Sequence, residues 1–192
     1  MSLHQPIAAG KSSFDLVDAE ALLTALDLMP GQVLLDLACG RGAYSLHLAQ
    51  RLGPKLTIHA LDLWQEGITQ LQNDIKLLKI TSIHPAVADA SQPLPLARAS
   101  IDVCLLATVL HDFKADGNHL AVLAQIQRVV KPGGRLAVLE FKVKDGPPGP
   151  PKGIRLGYQA VGNLLPPFGF IQREEKDMGP NLYLGSFVAA PA

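Results

Sequence analysis

The sequence predicts an α/β fold in which helices cover both faces of a mostly parallel β-sheet. Short apolar runs alternate with amphipathic helical segments along most of the chain, the pattern of parallel strands joined by crossover helices. The last two apolar runs, residues 169–171 and Leu182–Ala189, are separated by only ten residues, which cannot comfortably hold such a helix. We therefore expect a three-layer sandwich around seven strands, with an antiparallel hairpin at the C-terminal end.

Each predicted strand is a short run of apolar or β-branched residues, and glycine or proline punctuates the connections between elements. The first helix is expected to begin at Ser12 or Ser13, where a hydroxyl precedes the carboxylate of Asp15, and to stop before Pro30. The predicted strands span residues 33–37, 56–61, 83–88, 101–107, 135–141, 169–171 and Leu182–Ala189, and the predicted helices span residues 16–26, 44–52, 68–78, 120–130 and 158–165.

Length and composition exclude several classes of protein. The 192 residues suit one domain, and 17 Lys and Arg balance 17 Asp and Glu, so no net field attracts nucleic acid. No apolar run approaches the roughly 20 residues of a membrane span, and residues 1–10 do not resemble a secretory signal. The two cysteines predict neither a disulfide framework nor a zinc ribbon. We expect one cytoplasmic domain over residues 1–192, with a flexible tail over residues 1–12.

A glycine-containing loop follows the first predicted strand. The strand contains Asp36, and Gly40 and Gly42 precede the next helix, so the backbone can turn sharply and approach a ligand closely. The dinucleotide-binding fingerprint requires a third glycine, but Ser45 occupies that position. A carboxylate at Asp36 also suits a ligand with a cationic end better than a pyrophosphate. The loop therefore predicts a small-ligand site and disfavours a nicotinamide-dependent oxidoreductase.

Two further acids end the next two predicted strands. Asp62 follows Gly42 by 20 residues, the position from which a carboxylate can bind both hydroxyls of a ribose. Asp89 ends the third strand, where a carboxylate can accept a hydrogen bond from an adenine amino group. Because the carboxyl ends of parallel strands share one edge of a sheet, these acids and Asp36 are expected to lie on neighbouring strands there.

The ordered set of motifs resembles the class I S-adenosylmethionine-dependent methyltransferases over roughly residues 13–190. The stretch V-L-L-D-L-A-C-G-R-G is similar to their first motif, D-x-G-x-G-x-G, except that Ala38 replaces the first glycine. Alanine would be tolerated there if the backbone had a negative φ. Asp62 matches the ribose-binding acid of the family, and Asp89-Ala90 matches its adenine-side motif. The chain most resembles the small methyltransferases of the ubiquinone/menaquinone-biosynthesis type.

The resemblance implies a Rossmann-like fold, S-adenosylmethionine as the cofactor, and in-line transfer of its methyl group to a small organic acceptor. It implies no metal ion, because orientation of the reactants and exclusion of water can accelerate the transfer. A homo-oligomer is compatible with it. The cofactor-binding residues that it implies are Asp36, Ala38, Gly40, Gly42, Asp62, Leu63, Asp89, Ala90 and Ala107.

His111 is the candidate catalytic residue. It lies after the fourth predicted strand in the stretch H-D-F, which resembles the His-Asp-Trp of plant-type small-molecule O-methyltransferases, where the histidine is the base. An imidazole can take up a proton near neutral pH. The alternative interpretation is a histidine that lines the pocket or caps a helix. A metal site built on His111 is disfavoured, because a Gly117-Asn118 turn interrupts the spacing of the neighbouring ligand types.

Two proline-containing segments have simpler interpretations. Residues 145–151 follow the fifth strand at the ligand edge, and they either shape the acceptor pocket or link to the next helix. The stretch L-P-P-F at residues 165–168 is similar to the motif of amino-methylating nucleic-acid enzymes, but leucine replaces its polar residue. We interpret the second segment as a turn. Cys39 and Cys104 are interpreted as packing residues.

The sequence is also compatible with two other functions. A methyltransferase that acts on a macromolecule is disfavoured, because no long basic run is present to contact one. A non-catalytic protein that binds S-adenosylmethionine would keep the same acids, since they serve binding rather than turnover. Detection of methyl transfer to any acceptor would separate that alternative from an enzyme.

Overall fold

The computed structural model describes residues 10–191, so most of the tail expected over residues 1–12 lies outside the described part of the chain. The strands are β1 (Val33–Leu37), β2 (Thr57–Asp62), β3 (Ile83–Val87), β4 (Ile101–Ala107), β5 (Val130–Phe141), β6 (Phe170–Asp177) and β7 (Leu182–Ala189). The helices are α1 (Ala19–Leu26), α2 (Ala43–Leu52), α3 (Gln65–Leu78), α4 (Leu110–Ala115), α5 (His119–Val129) and α6 (Tyr158–Gly162).

These strands form one seven-stranded sheet in the order β3-β2-β1-β4-β5-β7-β6. The first five strands pair in parallel, whereas β7 pairs antiparallel with both β5 and β6. The predicted fold class, a mostly parallel sheet that ends in an antiparallel hairpin, is confirmed. Ten residues separated the last two apolar runs in the sequence, and the structure joins the two strands through only four of them, residues 178–181.

Successive side chains of the central strands pack on opposite faces of the sheet. Leu34 of β1 belongs to the cluster that includes Leu22 of α1 and Leu48 of α2. The next residue, Leu35, belongs to a second cluster, which includes Ile126 of α5. Each face therefore has its own apolar core, and the strands between them are almost completely buried, as expected for a parallel sheet between two helical layers.

The strand order reverses next to β1, which pairs with β2 on one side and with β4 on the other. In open α/β sheets, a ligand crevice forms at such a point, outside the carboxyl ends of the strands. The loop after Leu37 and the segment after Ala107 both begin at this edge. The glycine-containing loop and His111 are therefore placed at one end of the sheet by its topology.

The predicted start of the first helix is wrong. Phe14–Leu16 forms a single 3-10 turn, and α1 begins only after Asp18, whose Oδ1 accepts the backbone N–H groups of Glu20 and Ala21 at 3.0 Å. Asp18 is thus the N-cap, and it leaves fewer helical N–H groups without a partner. The hydroxyl of Ser13 makes tertiary contacts instead of capping a helix.

Other boundaries also differ from the predictions. β6 extends to Asp177 through polar residues because it is an edge strand with largely exposed side chains. β5 begins at Val130, which pairs with Ile101 before a register shift, so residues 131–134, which separate the predicted helix and strand, lie within the strand. The sequence did not predict α4, whose six residues are too few to show a clear period. Within residues 10–191, none of the helices combines the length and apolar character that crossing a bilayer demands.

Candidate functional site at the carboxyl edge of the sheet

The structure places the three predicted acids at the same edge of the sheet. Asp36 lies in β1, Asp62 is the last residue of β2, and Asp89 follows β3 by two residues. Asp36 and Asp62 are buried, whereas Asp89 is half-buried. Because β1, β2 and β3 are neighbours, the carboxylates lie on or just after three successive strands at this edge.

The loop between β1 and α2 uses left-handed backbone at three positions. Ala38, Gly40 and Gly42 have φ values of 60°, 58° and 74°. A Cβ at Gly42 would lie 2.6 Å from the side chain of Leu71, so only glycine permits this approach of the loop to α3. A Cβ at Gly40 would meet no atom within 4 Å, so the loop is open on that side and has room for a ligand.

The condition under which alanine would be tolerated at position 38, a negative φ, is not met. The φ of 60° at Ala38 is in the left-handed region, where a residue with a Cβ loses roughly 1–2 kcal/mol relative to the right-handed conformation. Glycine would adopt the same conformation without that loss. The loop therefore keeps the backbone course expected for a glycine although the sequence has alanine.

Replacing Ala38 by Gly should raise the free energy of unfolding by about 0.5–1 kcal/mol, because the relieved backbone strain exceeds the added freedom of the unfolded chain. Urea unfolding checks this prediction. Ala124→Gly, at an exposed position inside α5, is the matched control and should lower the free energy of unfolding by about 1 kcal/mol. Similar destabilisation by both substitutions would contradict the prediction.

Asp36 is a buried carboxylate with one oxygen that lacks a partner. The Oγ of Ser45 donates to Oδ2 at 2.6 Å, whereas Oδ1 has no hydrogen bond among the described residues. Burial raises the pKa of Asp36 to about 6, and the hydrogen bond from Ser45 opposes this effect. An ammonium group bound to Oδ1 would satisfy the free oxygen and favour the ionised carboxylate. In the sequence, Ser45 indicates only that the third glycine of the dinucleotide-binding fingerprint is absent, and it does not predict this hydrogen bond.

Asp62 organises the loop around it and retains acceptor capacity. Its Oδ2 accepts the backbone N–H of Gly40, and its Oδ1 accepts that of Trp64, both at 2.7 Å. A carboxylate has about four acceptor sites, two on each oxygen. One site on each oxygen therefore remains for a ligand, an arrangement that fits the two neighbouring hydroxyls of a ribose.

Asp89 has one oxygen that binds its own turn. The backbone N–H and the hydroxyl of Ser91 donate to Oδ1 at 2.9 and 2.7 Å, so Oδ2 remains for a ligand donor. Three other residues predicted to bind the cofactor lie at the same edge: Leu63 follows Asp62, Ala90 follows Asp89, and Ala107 ends β4. The free carboxylate oxygens of the three acids and the open loop thus fit S-adenosylmethionine, which has an ammonium group, a ribose and an adenine.

The predicted candidate His111 forms a buried pair with Glu140, the penultimate residue of β5. The imidazole Nδ1 lies 2.8 Å from Oε2 and 3.0 Å from Oε1, and the backbone N–H of His111 also donates to Oε1 at 3.0 Å. The backbone N–H of Phe141 donates to Oε2. Glu140 is fully buried, so these contacts replace its hydration. The carboxylate fixes the imidazole with Nδ1 towards β5.

The charge state of His111 reflects several opposing effects. Burial disfavours the imidazolium, but the hydrogen bond and charge of Glu140, together with the charge of Asp112, raise the pKa of His111 above its usual value. The Oδ1 of Asp112 lies 3.4 Å from Nε2. The raised pKa makes His111 a stronger base than an isolated histidine, and the contact of Nδ1 with Glu140 leaves Nε2 on the opposite side of the ring.

A row of three hydroxyl groups lies at the same end of the sheet. The Oγ of Ser13 is 2.7 Å from the hydroxyl oxygen of Tyr44 and 2.8 Å from the Oγ1 of Thr108. Thr108 follows Ala107 directly and has a φ of 54°, which is rare for a β-branched residue. The sequence does not predict this row, because its three residues are distant along the chain. Hydroxyl residues are also common in helix caps and turns, so their presence alone does not indicate such a contact.

Within the described residues 10–191, the remaining histidines and cysteines form no second cluster of possible ligands. His59 and His84 pair across β2 and β3, with ring centroids 5.5 Å apart. Cys39 and Cys104 are buried free thiols, and burial raises the pKa of both. Among residues 10–191, no three His, Cys, Asp or Glu side chains come together as a metal site. The L-P-P-F stretch contains the 3-10 turn Pro166–Phe168.

Comparison with known proteins finds methyltransferases among the relatives of this chain. The curated demethylmenaquinone methyltransferase of Lactobacillus johnsonii is 28% identical over 152 residues, which cover 74% of this chain and 55% of the relative. The ubiquinone/menaquinone biosynthesis C-methyltransferase UbiE of Cupriavidus metallidurans is 32% identical over 115 residues, which cover 60% of this chain and 45% of the relative. The chain spans about half the length of these relatives.

The fold is shared with a solved methyltransferase. The crystal structure of a SAM-dependent methyltransferase from Aquifex aeolicus superposes with a TM-score of 0.83 at 23% identity, covering 94% of each chain. Residues 35–138, more than half of the chain, match the family model described as a methyltransferase domain. The chain therefore belongs to the methyltransferase-domain family and has the fold of the S-adenosylmethionine-dependent methyltransferases.

Proposed function

We propose that this protein transfers a methyl group from S-adenosylmethionine to a small organic acceptor. The observation that carries the proposal is the buried His111–Glu140 pair, which lies at the same edge of the sheet as the three acids. The acids suit a cofactor with cationic, ribose and adenine parts. The histidine supplies a base for an acceptor that must lose a proton. A cytoplasmic location and a single domain remain predictions.

Each acid has one role in the proposed cofactor site. Asp36 binds the ammonium end through its free Oδ1, Asp62 binds the ribose hydroxyls, and Asp89 accepts from the adenine amino group. The open backbone at Gly40 lets the loop approach the cofactor closely. Gly42 allows the loop to pack on α3, while Ala38, Leu63, Ala90 and Ala107 provide the apolar contacts of the site.

The proposed chemistry needs one base and no metal ion. When bound, S-adenosylmethionine supplies an electrophilic methyl group on a cationic sulfur. His111 accepts a proton at Nε2 from a hydroxyl or an acidic carbon of the acceptor, which increases the negative charge on the attacking atom. Glu140 keeps Nδ1 protonated and stabilises the imidazolium that forms. The buried surroundings of the pair exclude water from the base.

The names of the curated relatives suggest an acceptor of the quinone type. A hydroquinone or phenol loses a proton more readily than an aliphatic alcohol, so one histidine base is sufficient for it. A macromolecular acceptor is less consistent with the balanced charge of the chain. We therefore propose a small aromatic acceptor with an ionisable hydroxyl group.

Incubation with methyl-labelled S-adenosylmethionine tests the proposed function. The acceptors are a short-chain demethylmenaquinol, a simple catechol, and a mixture of peptides and RNA. We expect label in a small aromatic compound, and we expect His111→Gln to reduce its rate at least about 100-fold. Label in the macromolecular fraction alone would contradict the proposed acceptor. Cofactor binding without transfer to any acceptor would instead support a non-catalytic binding protein.

Replacing Asp62 by Ala should weaken binding of S-adenosylhomocysteine by about 1–3 kcal/mol, because both ribose hydrogen bonds and the anchor of Gly40 are lost. Calorimetric titration measures this change directly. Glu66→Ala, at an exposed position in the first turn of α3, is the control and should leave the affinity unchanged. An unaltered affinity in Asp62→Ala would remove the ribose assignment.

A further inference from the structure

Arg155 is a buried cation in the connection between β5 and α6. Its guanidinium donates to four backbone carbonyls: Nε to Pro150 at 2.8 Å, Nη1 to Lys142 at 3.1 Å, and Nη2 to Gly146 and Pro148 at 2.6 and 2.8 Å. The residue is 5% exposed, and no carboxylate of the described residues forms an ion pair with it. The carbonyl groups of one loop therefore accept from four of its five N–H donors.

Phe141 connects this loop with His111. The guanidinium carbon of Arg155 lies 5.7 Å from the centroid of the Phe141 ring, and the His111 ring contacts the same ring edge-to-face at 6.0 Å. Gly149 also packs on it, because a Cβ there would lie 2.6 Å from Cδ1 of Phe141. The loop, Arg155, Phe141 and His111 thus form one continuous set of contacts.

We propose that Arg155 is a positioning residue, which fixes residues 145–151 as a wall of the acceptor site and, through Phe141, holds the ring of His111. The inference rests on the proposed function and narrows its substrate class. Val143 and Ile154 flank the loop with 51% and 39% of their surfaces exposed, and prolines make up much of the loop itself. Such a wall suits an acceptor with an apolar aromatic or aliphatic part.

The charges around His111 come from three elements. Glu140 of β5 and Asp112 of α4 favour the imidazolium, whereas burial and Arg155 from the connection before α6 oppose it. Loss of the arginine charge should therefore raise the pKa of His111. Substitution by lysine should preserve most of this electrostatic effect, but one ammonium group cannot reproduce the fork that binds four carbonyls.

The test compares Arg155→Met, Arg155→Lys and the control Lys152→Met. Lys152 lies in the same connection, but its only ion pair is exposed and joins it to Asp145. NMR titration of the His111 imidazole in the free protein needs neither cofactor nor methyl transfer. We expect the His111 imidazole to titrate with a higher midpoint pH in Arg155→Met and with the wild-type midpoint pH in Lys152→Met. Amide exchange in residues 142–151 should accelerate in both Arg155 variants and not in the control.

Kinetic measurements separate positioning from folding. We expect KM for the acceptor to rise about tenfold or more in both Arg155 variants, while Kd for S-adenosylhomocysteine changes less than twofold. Gly149→Ala keeps the cation but pushes the loop away from Phe141, so it should also raise KM. The inference would be overturned if Arg155→Met showed the wild-type rate of amide exchange in residues 142–151 and the wild-type titration midpoint of His111. This result does not depend on whether an acceptor has been found. If the Arg155 variants do not fold, a wild-type KM in Gly149→Ala overturns the inference.

Discussion

Replacing Asp36 by Asn is expected to stabilise the free protein at neutral pH while weakening cofactor binding about 100-fold. The carboxylate must ionise inside the core, and burial raises its pKa from 3.8 to about 6. That shift corresponds to a loss of about 3 kcal/mol of folding free energy once the group is ionised. Asparagine keeps an acceptor for Ser45 and carries no charge. The gain in stability at pH 8 should stay below this value, because no described group accepts a hydrogen bond from the new amide N–H groups.

The pH dependence has a definite sign. Because the folded pKa of Asp36 exceeds the unfolded value, the folded state binds the additional proton between about pH 4 and 6, and stability falls as the pH rises through this range. The stability difference between Asp36→Asn and the wild type should therefore grow from pH 4 to pH 6 and then remain constant. Urea unfolding at several pH values measures it.

Asp102 provides the matched control for this prediction. It is a partly buried carboxylate in the same sheet, but its oxygens bind the Lys131 ammonium at 2.6 Å and the Val33 N–H at 2.8 Å. Asp102→Asn should lower stability, the opposite of Asp36→Asn. For Asp36→Asn, Kd for S-adenosylhomocysteine should rise about 100-fold. A destabilised Asp36→Asn protein that still binds the cofactor would contradict both parts of the prediction.

Replacing Glu140 by Gln should shift the pH–activity profile to lower pH and reduce the maximal rate about 10- to 100-fold. In the wild type, the hydrogen bond and charge of Glu140 raise the pKa of His111 against the effect of burial. Activity should rise with pH as the imidazolium loses its proton. Without the carboxylate, the effects of burial and Arg155 on the pKa of His111 dominate, and both lower it. His111 then becomes a weaker base, and the midpoint of the pH–activity profile moves to lower pH.

The same pair should make stability fall as the pH rises, in the same direction as Asp36 but in a higher pH range. A raised folded pKa of His111 means that its stabilising effect is fully present below the unfolded value of about 6.5 and is lost as the pH rises through the folded pKa. Glu140→Gln should therefore cost more stability at pH 6 than at pH 9. Glu174→Gln, on the exposed edge strand β6, is the control. An unchanged profile in Glu140→Gln would exclude His111 as the base.

The sheet and the three acids could be predicted because each depends on local sequence. An apolar run followed by glycine or a carboxylate defines both a strand and the group at its end, as at Asp36 and Asp62. Parallel pairing then brings these ends together without further information. His111 could be identified for the same reason, since it lies just beyond the end of β4.

The partners of these residues could not be predicted because they depend on tertiary packing. Glu140 lies 29 residues after His111, near the end of β5 and directly after an apolar run. Arg155 is near the proline-rich loop in sequence, but only the folded loop turns its carbonyls towards the guanidinium. The backbone of Ala38 adopts the left-handed conformation that the loop requires, although alanine disfavours this conformation. Burial and pairing, rather than residue type, define these roles.

The row formed by Tyr44, Ser13 and Thr108 has two possible proton orientations. Each hydroxyl has one hydrogen, so donation along the row runs either towards Thr108 or towards Tyr44. An anion at one end favours the orientation that offers it the terminal O–H, and the opposite end then offers only a lone pair. The row can therefore transmit the sign of a bound charge from one end to the other without movement of the backbone.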